Sequence, residues 1–172
     1  NCVKIGAGVP VTHNDARNLV ANTLYTPGTQ DWDGIHHVMF QNQTMFTPCP
    51  AFSESSGIRI YFYVETSINN WCNPDGQIAC AIEWFPYDDF SSAHRPLPEY
   101  KTFAIFITPP ALTTHVINHE VGHALGLRDG GPTAPPPDNT YGCTGSVMHN
   151  YGCVAPAWPS FGDKGSVQGL VP

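Results

Sequence analysis

Residues 119–130 read HEVGHALGLRDG, and this stretch carries the chemistry of the chain. His119 and His123 are four residues apart. On an α-helix that spacing leaves them about 40° apart around the axis and one turn apart along it, so both imidazoles can reach a single Zn²⁺. Glu120 is rotated about 100° from His119, which puts it beside the metal rather than on it. There it can accept a proton from a zinc-activated water and deliver it to a leaving amine. A surface helix with two unrelated histidines would match the same spelling. The neighbouring residues argue against it: Ile117, Val121, Ala124 and Leu125 form an apolar stripe, and both histidines point almost opposite.

A catalytic zinc needs a third protein ligand. Thermolysin-like enzymes take it from a later Glu, and no Glu follows Glu120. His115 shares the face but lies about 12 Å along the axis from His123, too far for one tetrahedral ion to bridge. Deuterolysin-like enzymes use the Asp of a downstream Gly-Thr-x-x-Asp. No such run occurs, and Asp138 and Asp163 are only loose substitutes. Asp129 remains. Gly126, three residues past His123, can take φ > 0 and end the helix, letting Leu127-Arg128-Asp129 carry a carboxylate back to the metal. The glycines at 130 and 131 permit the close approach that a short Asp requires.

The run His119-Glu120-Val121-Gly122-His123-Ala124-Leu125-Gly126-Leu127-Arg128-Asp129 resembles the long motif of metzincin zinc peptidases, H-E-x-x-H-x-x-G-x-x-H/D. Its Asp-ending form looks like the snapalysin group of small secreted bacterial proteases. Ser146-Val147-Met148-His149, about 20 residues on, resembles the family's Met-turn, with Met148 beneath the zinc. The helix expected over 163–170 resembles the one that closes these domains. The specific resemblance covers 113–172; residues 1–112 match only in the order of helix and strands. It implies a single catalytic domain over 1–172, with an upper subdomain of about 1–127, a lower one of about 128–172 and a cleft between. Astacin- and serralysin-like enzymes have a Tyr two residues after the Met. Here that position is Asn150, with Tyr151 one further on, so Tyr151 is a candidate for a transition-state contact or for packing. Residues 154–161, VAPAWPSF, are placed to wall the pocket after the scissile bond, where Trp158 and Phe161 serve as lining or as core.

The elements that must position these groups are partly readable. A helix is expected over 14–24, with Leu19, Val20 and Leu24 on one face. Residues 35–41 are a strand candidate, in which His36 and His37 must face opposite ways. Residues 57–66, GIRIYFYVET, are the clearest strand, alternating Ile58, Ile60, Phe62 and Val64 with Arg59, Tyr61, Tyr63 and Glu65. A turn at NPDG, 73–76, leads to a strand in 77–85. A buried strand follows over 101–108, stopped by Pro109-Pro110. The motif helix is expected from about Thr113 to Leu127, capped by Thr113 or Thr114, with its imidazole face on a cleft. Beyond a Gly/Pro-rich stretch at 130–139, Ser160 and Asp163 form a capping box for the last helix. The expected class is α+β: a twisted mixed sheet packed with the first helix and the motif helix, then a loop-rich C-terminal subdomain.

Composition narrows the partners. The 172 residues carry 7 Lys+Arg against 14 Asp+Glu, a net charge of −7, with no basic run. Nucleic acid and anionic membranes are therefore not expected partners, and no apolar run is long enough to span a bilayer. Six cysteines at 2, 49, 72, 80, 143 and 153, without a C-x-x-C pair, suggest three disulfides and an oxidising compartment. Proximity favours Cys72–Cys80 and Cys143–Cys153, leaving Cys2–Cys49. The start at Asn1 reads as a mature secreted form, and Asn42-Gln43-Thr44 is one glycosylation sequon. The expectation is a secreted monomeric zinc endopeptidase with one catalytic ion, acting on proteins or peptides; a structural Ca²⁺ site is not readable. Two other readings stay open: a deuterolysin-like peptidase with a different Asp ligand, and a zinc-binding module without catalysis.

Overall fold

The computed structural model describes residues 2–24, 32, 59–72, 77–83, 102–127, 129, 146–148 and 157–170. Among them the class is α+β, with a four-stranded mixed sheet and three helices. The strands are β1 (Cys2–Ile5), β2 (Arg59–Val64), β3 (Ala79–Glu83) and β4 (Thr102–Ile107). The helices are α1 (His13–Leu24), α2 (Thr114–Ala124) and α3 (Phe161–Leu170). None of these helices is long and apolar enough to cross a membrane. The chain divides into two compact units, one of residues 1–17 and 44–111, the other of 18–43 and 112–172.

The first unit holds the sheet, in the order β1-β2-β4-β3. β1 runs parallel to β2 (Cys2↔Tyr61), β2 parallel to β4 (Ile60↔Phe103), and β3 antiparallel to β4 (Cys80↔Phe106). Ile60, Phe62, Val64, Phe103, Ile105 and Ile107 share one face by this register, and all are buried. The opposite face carries Ala104 and Phe106, packed with Ile68, Cys72, Tyr63, Cys80 and Ile82. Phe106 is stacked against both Tyr63 and Trp71. The alternation read from 57–66 therefore does not separate inside from outside: β2 is interior to the sheet, and Tyr61 is only 2% exposed. Parallel interior strands are commonly apolar on both faces. β1 escapes sequence reading because four residues without alternation carry too little signal, and its partner lies almost 60 residues away.

The expected Cys72–Cys80 bridge is present, with the Cα atoms 5.9 Å apart, within the usual disulfide range. Cys2 is also disulfide-bonded. Its expected partner Cys49 lies outside the described residues, as do Cys143 and Cys153. So do the strand candidate at 35–41, the turn at 73–76, the 130–139 stretch with Asp138, the sequon, His149, Asn150, Tyr151 and residues 154–156.

The second unit is built around α2. Thr113 caps it in an extended conformation, its hydroxyl accepting from Val116 N–H. The helix stops at Ala124 rather than Leu127. Gly126 takes φ 96°, its N–H donates to His123 O, and Leu127 N–H donates to Gly122 O. This paired closure is a Schellman motif, which needs a residue free to adopt positive φ. Ile117, Val121 and Ala124 are buried as the stripe requires. In α1 the buried face is Ala16, Val20, Thr23 and Leu24, with Leu19 only half-buried.

Candidate metal centre

The imidazole face of α2 is largely covered. Asn118, His119 and Glu120 are all buried, and His123 is partly so. The packing beneath explains how a polar face can be covered. Asn118 donates through Nδ2 to Ala157 O at 2.8 Å, and its backbone carbonyl accepts from Trp32 Nε1 at 3.1 Å. Gly122 lets two large side chains come up against the helix. A Cβ there would overlap Met148 Sδ and stand 3.1 Å from Trp32 Cζ2. Met148 is 3% exposed, so the methionine singled out in the sequence lies directly against the motif helix.

Both imidazoles are fixed from behind. His119 Nδ1 is 3.0 Å from Val147 O, and His123 Nδ1 is 2.9 Å from Leu127 O. A carbonyl can only accept, so each Nδ1 carries the hydrogen, and in the neutral ring each Nε2 presents a lone pair. Those lone pairs meet: the two Nε2 atoms are 3.1 Å apart. Asp129 Oδ1 completes the triangle, 3.1 Å from His119 Nε2 and 3.2 Å from His123 Nε2.

Three acceptor atoms this close repel one another unless positive charge lies among them. His119, His123 and Asp129 thus form a group that could hold a metal ion. The spacing suits one: ligand bonds of about 2.0–2.1 Å in a tetrahedron put ligand atoms roughly 3.3 Å apart. Protons are the competing source of charge. Burial alone would lower the His123 pKa, yet the Asp129 hydrogen bond, the Leu127 carbonyl and the charges of Glu120 and Asp129 leave it raised overall. Burial alone would likewise raise Asp129, but hydrogen bonds from both histidines and their charge hold its carboxyl well below the ordinary range.

The ring of His115 is 6.0 Å from that of His119 between centroids, and His115 is not part of the converging group. Asp163 is not available as a ligand either. Its carboxylate accepts from the Ser146 hydroxyl, from Val147 N–H at 3.0 Å and from Ser160 N–H at 2.8 Å. The Ser160 hydroxyl accepts in turn from Asp163 N–H, closing the expected capping box. Trp158 is half-buried. Phe161, offered above as lining or core, is 87% exposed and is not core. Sequence reading missed Ser146, Trp32 and the structural use of Asp163. The serine lies within the Met-containing run but has no spacing that marks it, and a Trp 86 residues from Asn118 leaves no local signature.

No protein-family model matches this chain, and no curated protein or solved structure matches it.

Proposed function

We propose that the chain is a secreted zinc-dependent endopeptidase of the metzincin type, close in motif to the snapalysin group. The observation that carries this is the donor set: two imidazole Nε2 atoms and one carboxylate oxygen converge, and the general-base candidate Glu120 is next in sequence to His119. A two-nitrogen, one-oxygen set favours zinc over Mg²⁺ or Ca²⁺, which prefer shells of six or more oxygens. Three protein ligands among the described residues leave a fourth position, the pattern of catalytic rather than structural zinc sites. Asp129, with 48% of its side chain exposed, gives the group a solvent-facing side.

When bound, the ion supplies Lewis acidity to an attacking water and to the scissile carbonyl. His119 and His123 hold it through Nε2, each kept in the required tautomer by its backbone acceptor. Asp129 contributes its carboxylate through Oδ1, the atom that faces both Nε2 atoms. Glu120, 5% exposed, accepts the proton of the attacking water and passes it to the leaving amine. The Cys72–Cys80 bridge supports an oxidising, extracellular setting.

The test is Glu120→Gln. Zinc content should stay at the wild-type level, while casein hydrolysis should fall by about 10²-fold or more, the usual contribution of a general base. Near-wild-type hydrolysis in that variant, or full activity of the wild type in 1,10-phenanthroline, would sink the reading.

A further inference from the structure

The buried hydrogen bonds behind His119 form one continuous chain that ends on a carboxylate. His119 Nδ1–H donates to Val147 O at 3.0 Å. That carbonyl belongs to the peptide group joining Val147 to Met148. The N–H end of the same peptide group, on Met148, donates to Ser146 Oγ at 3.0 Å. The Ser146 hydroxyl gives its own proton to Asp163 Oδ1. His119, Ser146, Val147, Met148 and Asp163 are all 6% exposed or less, so water does not dilute the chain.

We propose that Asp163 is a positioning residue for the metal centre, acting on His119 through Ser146 and the Val147–Met148 peptide. The inference rests on the metal reading of His119. Each link polarises the next in the same sense. A carboxylate accepting from Ser146 makes Oγ a better acceptor for Met148 N–H. A peptide whose N–H is engaged has a more basic carbonyl oxygen. That oxygen holds His119 Nδ1–H more firmly, fixing the ring and enriching Nε2. Metal-binding histidines commonly place a carboxylate directly on the second ring nitrogen; here one hydroxyl and one peptide group are interposed. The remaining oxygen of Asp163, Oδ2, anchors the turn through Val147 N–H and the start of α3 through Ser160 N–H. One side chain therefore joins the closing helix, the Met-containing turn and the candidate ligand.

The experiment compares Ser146→Ala, Ser146→Thr, Asp163→Asn and, as a control, Ser160→Ala. The control loses its hydroxyl cap on α3 but leaves the chain from Asp163 to His119 intact. Zinc affinity is measured by competition with a chromophoric chelator at a temperature where far-UV circular dichroism shows each protein folded. The His119 Nδ1–H proton is followed by ¹⁵N-edited NMR on the metal-free protein. Ser146→Ala and Asp163→Asn should weaken zinc binding about 10-fold or more, the range for losing an outer-shell partner, and should speed exchange of the Nδ1–H proton about as much. Ser146→Thr should restore both, and Ser160→Ala should lower the thermal midpoint while leaving both near wild type. Unchanged affinity and exchange in Ser146→Ala and Asp163→Asn would overturn the proposal, as would an equal loss in Ser160→Ala. If the wild type binds no zinc, the metal reading fails, and the exchange of the His119 proton still decides whether the chain from Asp163 reaches that ring.

Discussion

His119 and His123 sit one turn apart and turn the same ring atom, Nε2, toward Asp129, yet they are oriented in different ways. His123 leans on Leu127 O, four residues away, and that carbonyl is placed by the helix's own Schellman closure at Gly126. His119 leans on Val147 O, 28 residues away, which is placed by Ser146 and by a carboxylate on α3. One imidazole is thus set by local backbone geometry and the other by tertiary structure. The converging donor set therefore depends on Ser146, Val147 and α3 as well as on the motif helix.

The two histidines share a support at Gly122, where Met148 and Trp32 press against the helix. Gly122→Ala puts a methyl group where Met148 Sδ lies and crowds Trp32. Overpacking of this kind typically costs about 1–3 kcal/mol. Displacing Met148 also disturbs the turn behind His119, so urea unfolding should show the loss and zinc affinity should fall with it. A variant as stable as wild type, with full affinity, would mean that Met148 does not support the helix.

Gly126→Ala tests the local arm alone. Its positive φ costs a residue with a Cβ roughly 1–2 kcal/mol. The Nδ1 bond of His123 should loosen while that of His119 persists, a difference that NMR of the two imidazoles can read. Equal loosening of both rings would remove the distinction between a local and a remote arm.

The smallest effect is a pH dependence carried by His123. In the metal-free chain, stabilisation by its raised pKa is fully present below the ordinary imidazole value of 6.5 and is lost as pH rises through the raised value. The Asp129 contribution, from a lowered pKa, is present above the ordinary 3.8 and is lost as pH falls through the lowered value. The pair therefore stabilises the metal-free chain most between these ordinary values. Zinc needs His123 deprotonated, so the rise in thermal midpoint on adding zinc should be larger at pH 8 than at pH 5.5. Equal shifts at the two pH values would show that protons and metal do not compete at His123.

The same division explains what was legible in the sequence. Most local features could be read: the i, i+4 histidines, a cap at Thr113 or Thr114, the reversal at Gly126, the return to Asp129 and the short Cys72–Cys80 loop, although the helix ends at Ala124 rather than Leu127. Long-range features could not. β1 is recognisable only once β2 is beside it. The burial of Tyr61 follows from the interior place of β2 in the sheet, which no periodicity encodes. Asp163 was readable as a helix cap because its partner Ser160 is three residues away, but its bonds to Ser146 and Val147 depend on a contact that only the fold creates. The burial of His119 and Glu120 was missed for the same reason: an amphipathic pattern shows which side is greasy, not what covers the other.

His119, His123 and Asp129 are proposed to hold one zinc ion. Equilibrium dialysis followed by elemental analysis, on the wild type and on Asp129→Ala, tests it directly. The wild type should retain one zinc per chain. Asp129→Ala should weaken binding by more than the roughly 10–100-fold that losing an outer-shell partner brings, with circular dichroism still showing a folded chain. A wild type that retains no zinc, or an Asp129→Ala variant that holds it as tightly, would contradict the account.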